Sequence, residues 1–227
     1  MIVEIKDVEF SYKSGGGSLE VINIPRWSLE KGQMTAISGP SGCGKTTLLN
    51  IIAGLLVPRR GSVEVCGRRL DQMSEAARDR FRAGHLGYIF QNFNLLQGFT
   101  ALENILLAMT FSNKKADASL AKELLERVGL SARMNHYPSQ MSIGEQQRVA
   151  VARALANKPD LVLADEPTGS LDPRNSEEVI TLLKETISER GVSLIIVSHE
   201  REVTGAFEKE ARFLDINKAF TGTGGTP

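Results

Sequence analysis

Gly39-Pro40-Ser41-Gly42-Cys43-Gly44-Lys45-Thr46 fits the pattern G-x-x-x-x-G-K-[ST], the spacing of a phosphate cradle. Glycines at these positions admit positive φ and close backbone approach, so successive N–H groups can converge on an anion where a helix begins. Lys45 adds a point charge, and the Thr46 hydroxyl adds a hard oxygen suited to magnesium. A second pattern, Leu161-Val162-Leu163-Ala164-Asp165-Glu166, sets two carboxylates at the end of an apolar run. Asp165 suits holding Mg²⁺ through water, and Glu166 suits polarising an attacking water as general base. A third apolar run, Leu194 to Ser198, ends at His199. Taken together, these groups can transfer a phosphoryl group to water.

They can act together only if the fold brings them to one edge. Val3, Ile5, Val8 and Phe10, then Val21, Ile22, Ile24, Trp27 and Leu29, alternate as antiparallel strands around a hairpin whose loop is Ser14 to Ser18. A buried strand, Met34 to Ser38, runs into the glycine-rich turn Gly39 to Gly44. A helix, Thr46 to Leu56, follows with Leu48, Leu49, Ile51, Ile52 and Leu55 at helical spacing, punctuated by Gly54 and Pro58. Next come a strand over Ser62 to Cys66, a short polar helix over Ser74 to Arg82 and a strand over Tyr88 to Phe90. From Asn92 to about Ala156 the pattern is helical, with a stripe of Leu120, Leu124, Leu125 and Val128 that Gly129 terminates. The α/β alternation then resumes. Strand Leu161 to Ala164 is followed by a helix over Arg174 to Arg190, with Asp172 as N-cap, Pro173 at the first position and Gly191 at its end, and then strand Ser193 to Ser198. Strands separated by helices imply a mostly parallel sheet, whose ligands sit at the carboxyl ends of its strands. The small polar tail Thr221 to Pro227 is expected to fray.

With 227 residues, 41% hydrophobic and 24% charged, the chain has material for a real core, which excludes disorder as its main state. Twenty-seven basic side chains balance twenty-seven acidic ones, so no global field draws it onto nucleic acid or anionic lipid. No apolar run approaches the roughly 18–20 residues of a membrane span, and Met1 to Val8 alternates rather than forming a signal sequence, so a cytosolic chain is expected. Cys43 and Cys66 can form neither a disulfide framework nor a four-ligand zinc site and read as reduced thiols.

Over essentially its whole length the chain resembles the nucleotide-binding subunits of ABC transporters. Besides the phosphate loop and carboxylate strand, the resemblance rests on Gln91 in Tyr88-Ile89-Phe90-Gln91-Asn92, on Met141-Ser142-Ile143-Gly144-Glu145-Gln146-Gln147-Arg148 as the family's signature, on Ser170-Leu171-Asp172 and on Ser198-His199. It implies an α/β fold: a P-loop ATPase core with a mostly parallel sheet, an N-terminal antiparallel β subdomain and an inserted helical subdomain. Residues 1–91 and 157–220 would form the core and 92–156 the insertion, with 221–227 as tail. It implies ATP and Mg²⁺ as ligands. Tyr12 would stack on adenine, while Gly39, Pro40, Ser41, Gly42, Cys43, Gly44, Lys45, Thr46 and Thr47 would hold the phosphates. Thr46, Gln91 and Asp165 would serve the metal, and Glu166, His199, Gln91 and Lys45 the chemistry. Ser142, Gly144, Glu145 and Asp172 would act on the ATP of an opposite subunit, so that a homodimer sandwiches two nucleotides head to tail.

The stretches Leu86 to Gln91, Thr100 to Asn104 and Ala164 to Asp172 are most similar to the lipoprotein-release and macrolide-exporter branch. That implies an integral membrane permease subunit as partner, a place on the inner face of the cell membrane through that subunit, and no direct nucleic-acid binding. Cell-division ATPases, which control envelope hydrolases, share the neighbourhood and supply the alternative output. DNA- or ribosome-acting relatives usually carry long coiled-coil insertions or two fused cassettes, and only about fifty residues separate Gln91 from Ser142, too few for a coiled coil.

Ser142-x-x-Glu145 is a capping box, so the signature starts a helix whose N–H groups can meet a γ-phosphate. Where the family has a pair of glycines this chain has Ile143-Gly144. The expectation is a site that still closes through Ser142 and Gly144 but turns over differently. Cys43, beside a helix N-terminus, is expected to favour its thiolate, so that alkylation inhibits hydrolysis and Mg·ATP protects. Arg78, Arg80 and Arg82 read as a solvated face, and Met73, Met109 and Met134 as core filler. Phe93, Leu95, Leu96 and Phe99 fit either a groove for a partner's coupling helix or packing between subdomains.

Overall fold

The computed structural model describes residues 1–14, 17–112 and 115–219. The centre of the hairpin loop and the tail Thr221 to Pro227 lie outside the described residues. The alternating N-terminal segment folds into β1 (Val3–Ser14) and β2 (Gly17–Leu29), paired antiparallel with Val3 opposite Leu29 and Phe10 opposite Ile22. Ile5 and Val8 are three residues apart, which in a regular strand would put them on opposite faces. Both are fully buried, because the register against its other antiparallel neighbour, the strand Arg60–Val65, slips between Lys6 and Glu9 and Asp7 takes φ 51°. One extra residue in the strand thus returns the hydrophobic set to the core.

β3 (Met34–Ser38) leads through the glycine-rich loop into α1 (Lys45–Ile52), followed by β4 (Arg60–Val65) and the two-residue β5 (Arg68–Arg69). α1 ends earlier than its apolar spacing suggests: Gly54 turns at φ 66°, and Leu55 is left exposed. The polar helix α2 (Glu75–His85) is capped by Ser74 and runs three residues past its expected end into β6 (Leu86–Ile89). Its arginines are not a simple solvated face. Arg78 Nε donates to Gly54 O at 2.9 Å and Arg82 Nη1 to the same oxygen at 3.0 Å, so two cations cover the carboxyl end of α1. Arg80 alone of the three stays exposed.

Next come the helices α3 (Ala101–Thr110), with a Thr100–Glu103 capping box, α4 (Ala118–Arg127), which Gly129 follows at φ 73°, and α5 (Ile143–Leu155). The remaining elements are β7 (Leu161–Asp165), α6 (Pro173–Glu189), β8 (Ser193–Ser198), α7 (Arg201–Thr204), β9 (Glu210–Arg212) and α8 (Phe213–Ile216).

Two sheets result: antiparallel β2-β1-β4-β5 and parallel β6-β7-β8-β3-β9. β7 and β8 are buried along their whole length, as expected of strands covered on both faces. Leu161 and Leu163 point into a core shared with α1 and the antiparallel sheet, while Val162 and Ala164 point into a second core built with α3, α4, α5 and α6. Met109 sits in that second core with Met134 packed against it, and Met73 packs against the first, as filler residues should.

α5 rests directly on β6. A Cβ added at Gly87 would lie 2.3 Å from Ala154 O, a backbone atom that cannot move aside. Gly87→Ala is therefore expected to destabilise the chain by about 2–3 kcal/mol through overpacking, read as a lowered urea midpoint at unchanged slope.

Candidate active site

The carboxyl ends of three neighbouring strands build the site. Ser38 of β3 pairs with Ser198 of β8, and Asp165 of β7 with Val197, so the phosphate loop, the two carboxylates and His199 all leave the sheet at one edge. There a cleft of about 370 Å³ is lined by Tyr12, Ser41, Gly42, Lys45, Glu166 and His199, among others. A larger groove of about 930 Å³ lies between α6 and α7, but it is walled by Leu171, Ile180 and Val203 and holds no glycine-rich loop, so chemistry favours the smaller cleft.

Gly42 and Gly44 take φ 76° and 106°, left-handed values that glycine alone adopts freely, and with them the loop turns into the start of α1. A Cβ at Gly44 would also meet Val21 at 2.9 Å, so glycine is required there twice over. Lys45 is almost fully buried, and its Nζ donates to Gly39 O at 2.7 Å and Pro40 O at 3.1 Å while lying 3.3 Å from Glu166 Oε1. Gly39 and Pro40 thus steer the lysine, and Ser41, Gly42, Gly44, Thr46 and Thr47 face the cleft. Tyr12 is 42% exposed, with its hydroxyl 3.3 Å from Thr47 Oγ1 and its ring edge-on to Phe10, which leaves a face open for stacking.

Glu166 is the strained residue of the site, at φ 43° with its N–H still donating to Val197 O. A non-glycine residue in this region costs about 1–2 kcal/mol, and such strain gathers where a side chain must be aimed. Here it turns Glu166 out of the sheet. Its Oε2 accepts from the His199 N–H at 3.3 Å and lies 3.0 Å from His199 Nδ1. Its neighbour Asp165 points the other way and accepts from Thr46 Oγ1 at 3.1 Å, and burial pushes the Asp165 carboxyl above the ordinary aspartate value.

Among the described residues no three His, Cys, Asp or Glu side chains converge as a metal cage. One carboxylate and one hydroxyl, already hydrogen-bonded to each other beside a phosphate loop, are what magnesium uses when substrate phosphates complete its shell. Thr46 and Asp165 therefore fit Mg²⁺, with Gln91 at the rim of the same cleft.

Ser142, Gly144, Glu145 and Asp172 line none of that cleft. They form a second group. Ser142 caps α5, accepting from the Glu145 N–H at 3.2 Å, while Glu145 accepts from the Ser142 N–H at 2.8 Å. Asp172 caps α6 through the N–H groups of Arg174 and Asn175, both at 3.1 Å. The two helix starts are neighbours: a Cβ at Gly144 would sit 3.1 Å from Asn175 Oδ1, and Arg148 pairs with Glu178 at 3.6 Å. Ile143 is the first residue of α5 and is 51% exposed, so its side chain points away from the protein.

Two expectations need correction. Cys43 is 2% exposed, with its Sγ turned toward Gly39 and the core, and burial raises its thiol above the ordinary value. Proximity to a helix start does not favour a thiolate whose sulfur is cut off from water, so nucleotide-protected alkylation is not expected of it. The apolar cluster after Gln91 divides: Leu95 is buried and Phe93 packs on the second core, whereas Leu96 and Phe99 are 46% and 42% exposed. Sequence reading also missed Val21, which lines the cleft only because the hairpin folds over α1. It missed Arg153 and Asn104 too: Arg153 donates to a backbone carbonyl about sixty residues back, at Phe93, and Asn104 to carbonyls of the irregular turn just before its own helix.

The Ser142 N–H and Arg133 hold Glu145 below the ordinary glutamate value. A lowered folded-state value means that the stabilisation is present above the unfolded value and is lost as pH falls through the folded one. Glu145→Gln should cost about 0.5 kcal/mol at pH 7, and the gap to the parent should close in urea titrations carried to acid pH.

The comparisons agree with this geometry. Residues 22–169 match the family model described as ABC transporter. An uncharacterised ABC transporter ATP-binding protein of Methanocaldococcus jannaschii is 45% identical, covering 94% of this chain and 96% of its own. A lipoprotein-releasing system ATP-binding protein, LolD 2 of Caulobacter vibrioides, is 42% identical over 94% of this chain and 92% of its own. The macrolide export ATP-binding/permease protein MacB of Rhodopirellula baltica is 37% identical over 94% of this chain but 32% of its own. Among solved structures, a dimeric ATP-binding cassette in a post-hydrolysis state with ADP and Pi superposes at TM-score 0.85, with 36% identity, covering 92% and 93% of the two chains. With the phosphate loop, carboxylate strand and signature helix all in place, the chain belongs to the ABC transporter family and is an ATP-binding, ATP-hydrolysing subunit of that family.

Proposed function

We propose that two copies of this chain close head to tail around two ATP molecules and drive a separate integral membrane subunit, in the manner of the lipoprotein-releasing and macrolide-exporting relatives. The observation that carries the proposal is the division of the catalytic set. Lys45, Glu166, His199 and Gln91 share one cleft, while Ser142, Gly144 and Asp172 form a second cluster outside it. A signature that cannot serve its own phosphate loop serves that of a second copy, and the dimeric cassette structure supports that arrangement.

In this reading the loop N–H groups and Lys45 bind the ATP phosphates, which draw the ammonium from the Gly39 and Pro40 carbonyls. Tyr12 offers its open face to adenine. Thr46, Asp165 and Gln91 would hold Mg²⁺, which when bound neutralises charge on the phosphates. Glu166 takes the proton of the attacking water, and His199, fixed against Glu166 Oε2, orients that carboxylate and faces the γ-phosphate. Ser142, Gly144 and Glu145, at the start of α5, supply N–H groups and a capped helix end to the opposite nucleotide, with Asp172 beside them.

No helix among the described residues is long and apolar enough to cross a membrane. Attachment to the inner membrane face would come through the membrane subunit, and the exposed Leu96 and Phe99, which follow Gln91 in the chain, are the surface offered to it. The names of the relatives support this partner, since one cassette of this kind is part of an ATP-binding/permease protein.

Glu166→Gln should lower turnover by about 100-fold or more while ATP still binds, and should leave a dimer on size exclusion with light scattering in ATP. Undiminished turnover would remove Glu166 from the base role. Recovery of an integral membrane protein with this variant, from native membranes in mild detergent with ATP, is the expected result for transport coupling, whereas recovery of soluble partners alone would reject it. Ile143→Gly should change the rate of hydrolysis severalfold with little loss of stability, because an exposed β-branched residue leaves the surface that meets the second nucleotide. Equal rates in the two proteins would show that Ile143 points clear of it.

A further inference from the structure

From Phe90 to Thr100 the chain forms neither helix nor strand, yet it is tightly held. Phe93 and Asn94 take φ 57° and 49° in succession, a left-handed pair without a glycine, so the bend must be held by something outside it. Two side chains from the helical segment hold it. Arg153 of α5 donates from Nη2 to Phe93 O at 2.7 Å and from Nη1 to Asn94 O. Asn104 of α3 is 3% exposed; it accepts from the Leu96 N–H at 2.8 Å and donates to Leu96 O at 3.1 Å and Phe99 O at 3.0 Å.

Arg153 has no carboxylate within ion-pair distance among the described residues, and burial lowers its proton affinity. A half-buried guanidinium held only by carbonyls is a costly way to stabilise a loop, but its planar fork fixes two carbonyls in one geometry, which a flexible ammonium cannot do. The bend it grips begins two residues after Gln91, whose amide lies against Gly169 in the turn that follows Glu166. Arg153 lies in the same helix that Ser142 begins.

We propose that Arg153 is a positioning residue for Gln91: it locks the Phe93–Asn94 bend to the signature helix, so the place of Gln91 in the cleft is set by the place of α5. The inference rests on the role given to Gln91 above. A displacement of α5 against a second subunit's nucleotide would then be carried to the metal side of its own cleft through two hydrogen bonds, without passing through the sheet.

The test uses the full chain. With no nucleotide present, Arg153→Lys should speed amide exchange over residues 91–96 by about tenfold while leaving β1, β2 and α1 unchanged. Its kcat should fall about tenfold with KM for ATP within about twofold, and adding Gln91→Ala should slow the Arg153→Lys protein by less than about twofold further, because both changes act on one group. Uniformly faster exchange, or rate losses that multiply, would overturn the proposal and leave the role of Gln91 standing. Normal turnover of Gln91→Ala alone would overturn that role and the proposal with it. Asn94→Gly in the Arg153→Lys background removes the left-handed strain and keeps a weakly folded variant measurable. It should restore the melting temperature but not kcat, whereas restoring both would show that Arg153 serves only to hold a strained turn.

Discussion

Everything in the site depends on the parallel pairing of β3, β8 and β7. That register places Ser38 beside Ser198 and Asp165 beside Val197, so three segments far apart in the chain end at one edge. A slip of one residue would reverse which side chains face each core, sending Leu161 and Leu163 away from α1. Burial of both sheet faces therefore holds the geometry of the cleft as firmly as it holds the fold. The cost of aiming Glu166 out of a buried strand, at φ 43°, is carried by that same packing.

Charge placement follows from the edge. Lys45, Asp165 and Glu166 are all nearly buried, an arrangement tolerable only because each is hydrogen-bonded or paired: Lys45 to loop carbonyls and Glu166, Asp165 to Thr46, and Glu166 also to His199. The far end of α1 is handled in the same way, with Arg78 and Arg82 covering the carbonyls behind the phosphate loop. The P-loop helix is thus covered at its carboxyl end by side chains that sequence reading assigns to solvent, while its amino end carries no side-chain cap.

Most of the framework was legible because its signals are local. Periodicity marks β1, β2, α1 and α4, while Ser142 and Asp172 cap α5 and α6 through their own neighbours. Cys43 misled because the helix start beside it is a local feature, whereas the side of the loop its sulfur occupies depends on packing against the core. The cluster Phe93 to Phe99 was ambiguous for the same reason: apolar residue types do not say which of them the turn points inward. Arg153 gave no warning at all, since an arginine in an amphipathic helix is ordinarily solvated.

By itself, then, the sequence determined the chemistry available, the order of the longer strands and helices and the caps that begin α5 and α6, because these rest on residues within a few positions of one another; the short β5, α7, β9 and α8 carry no such local signal. The tertiary structure alone decided which groups share a cleft. It joined Tyr12, Lys45, Gln91, Glu166 and His199, left Ser142 and Asp172 together outside, and tied the bend after Gln91 to α5. Those relations depend on strand register and on which face of each element is buried, and both are settled only when the two cores close around the parallel sheet.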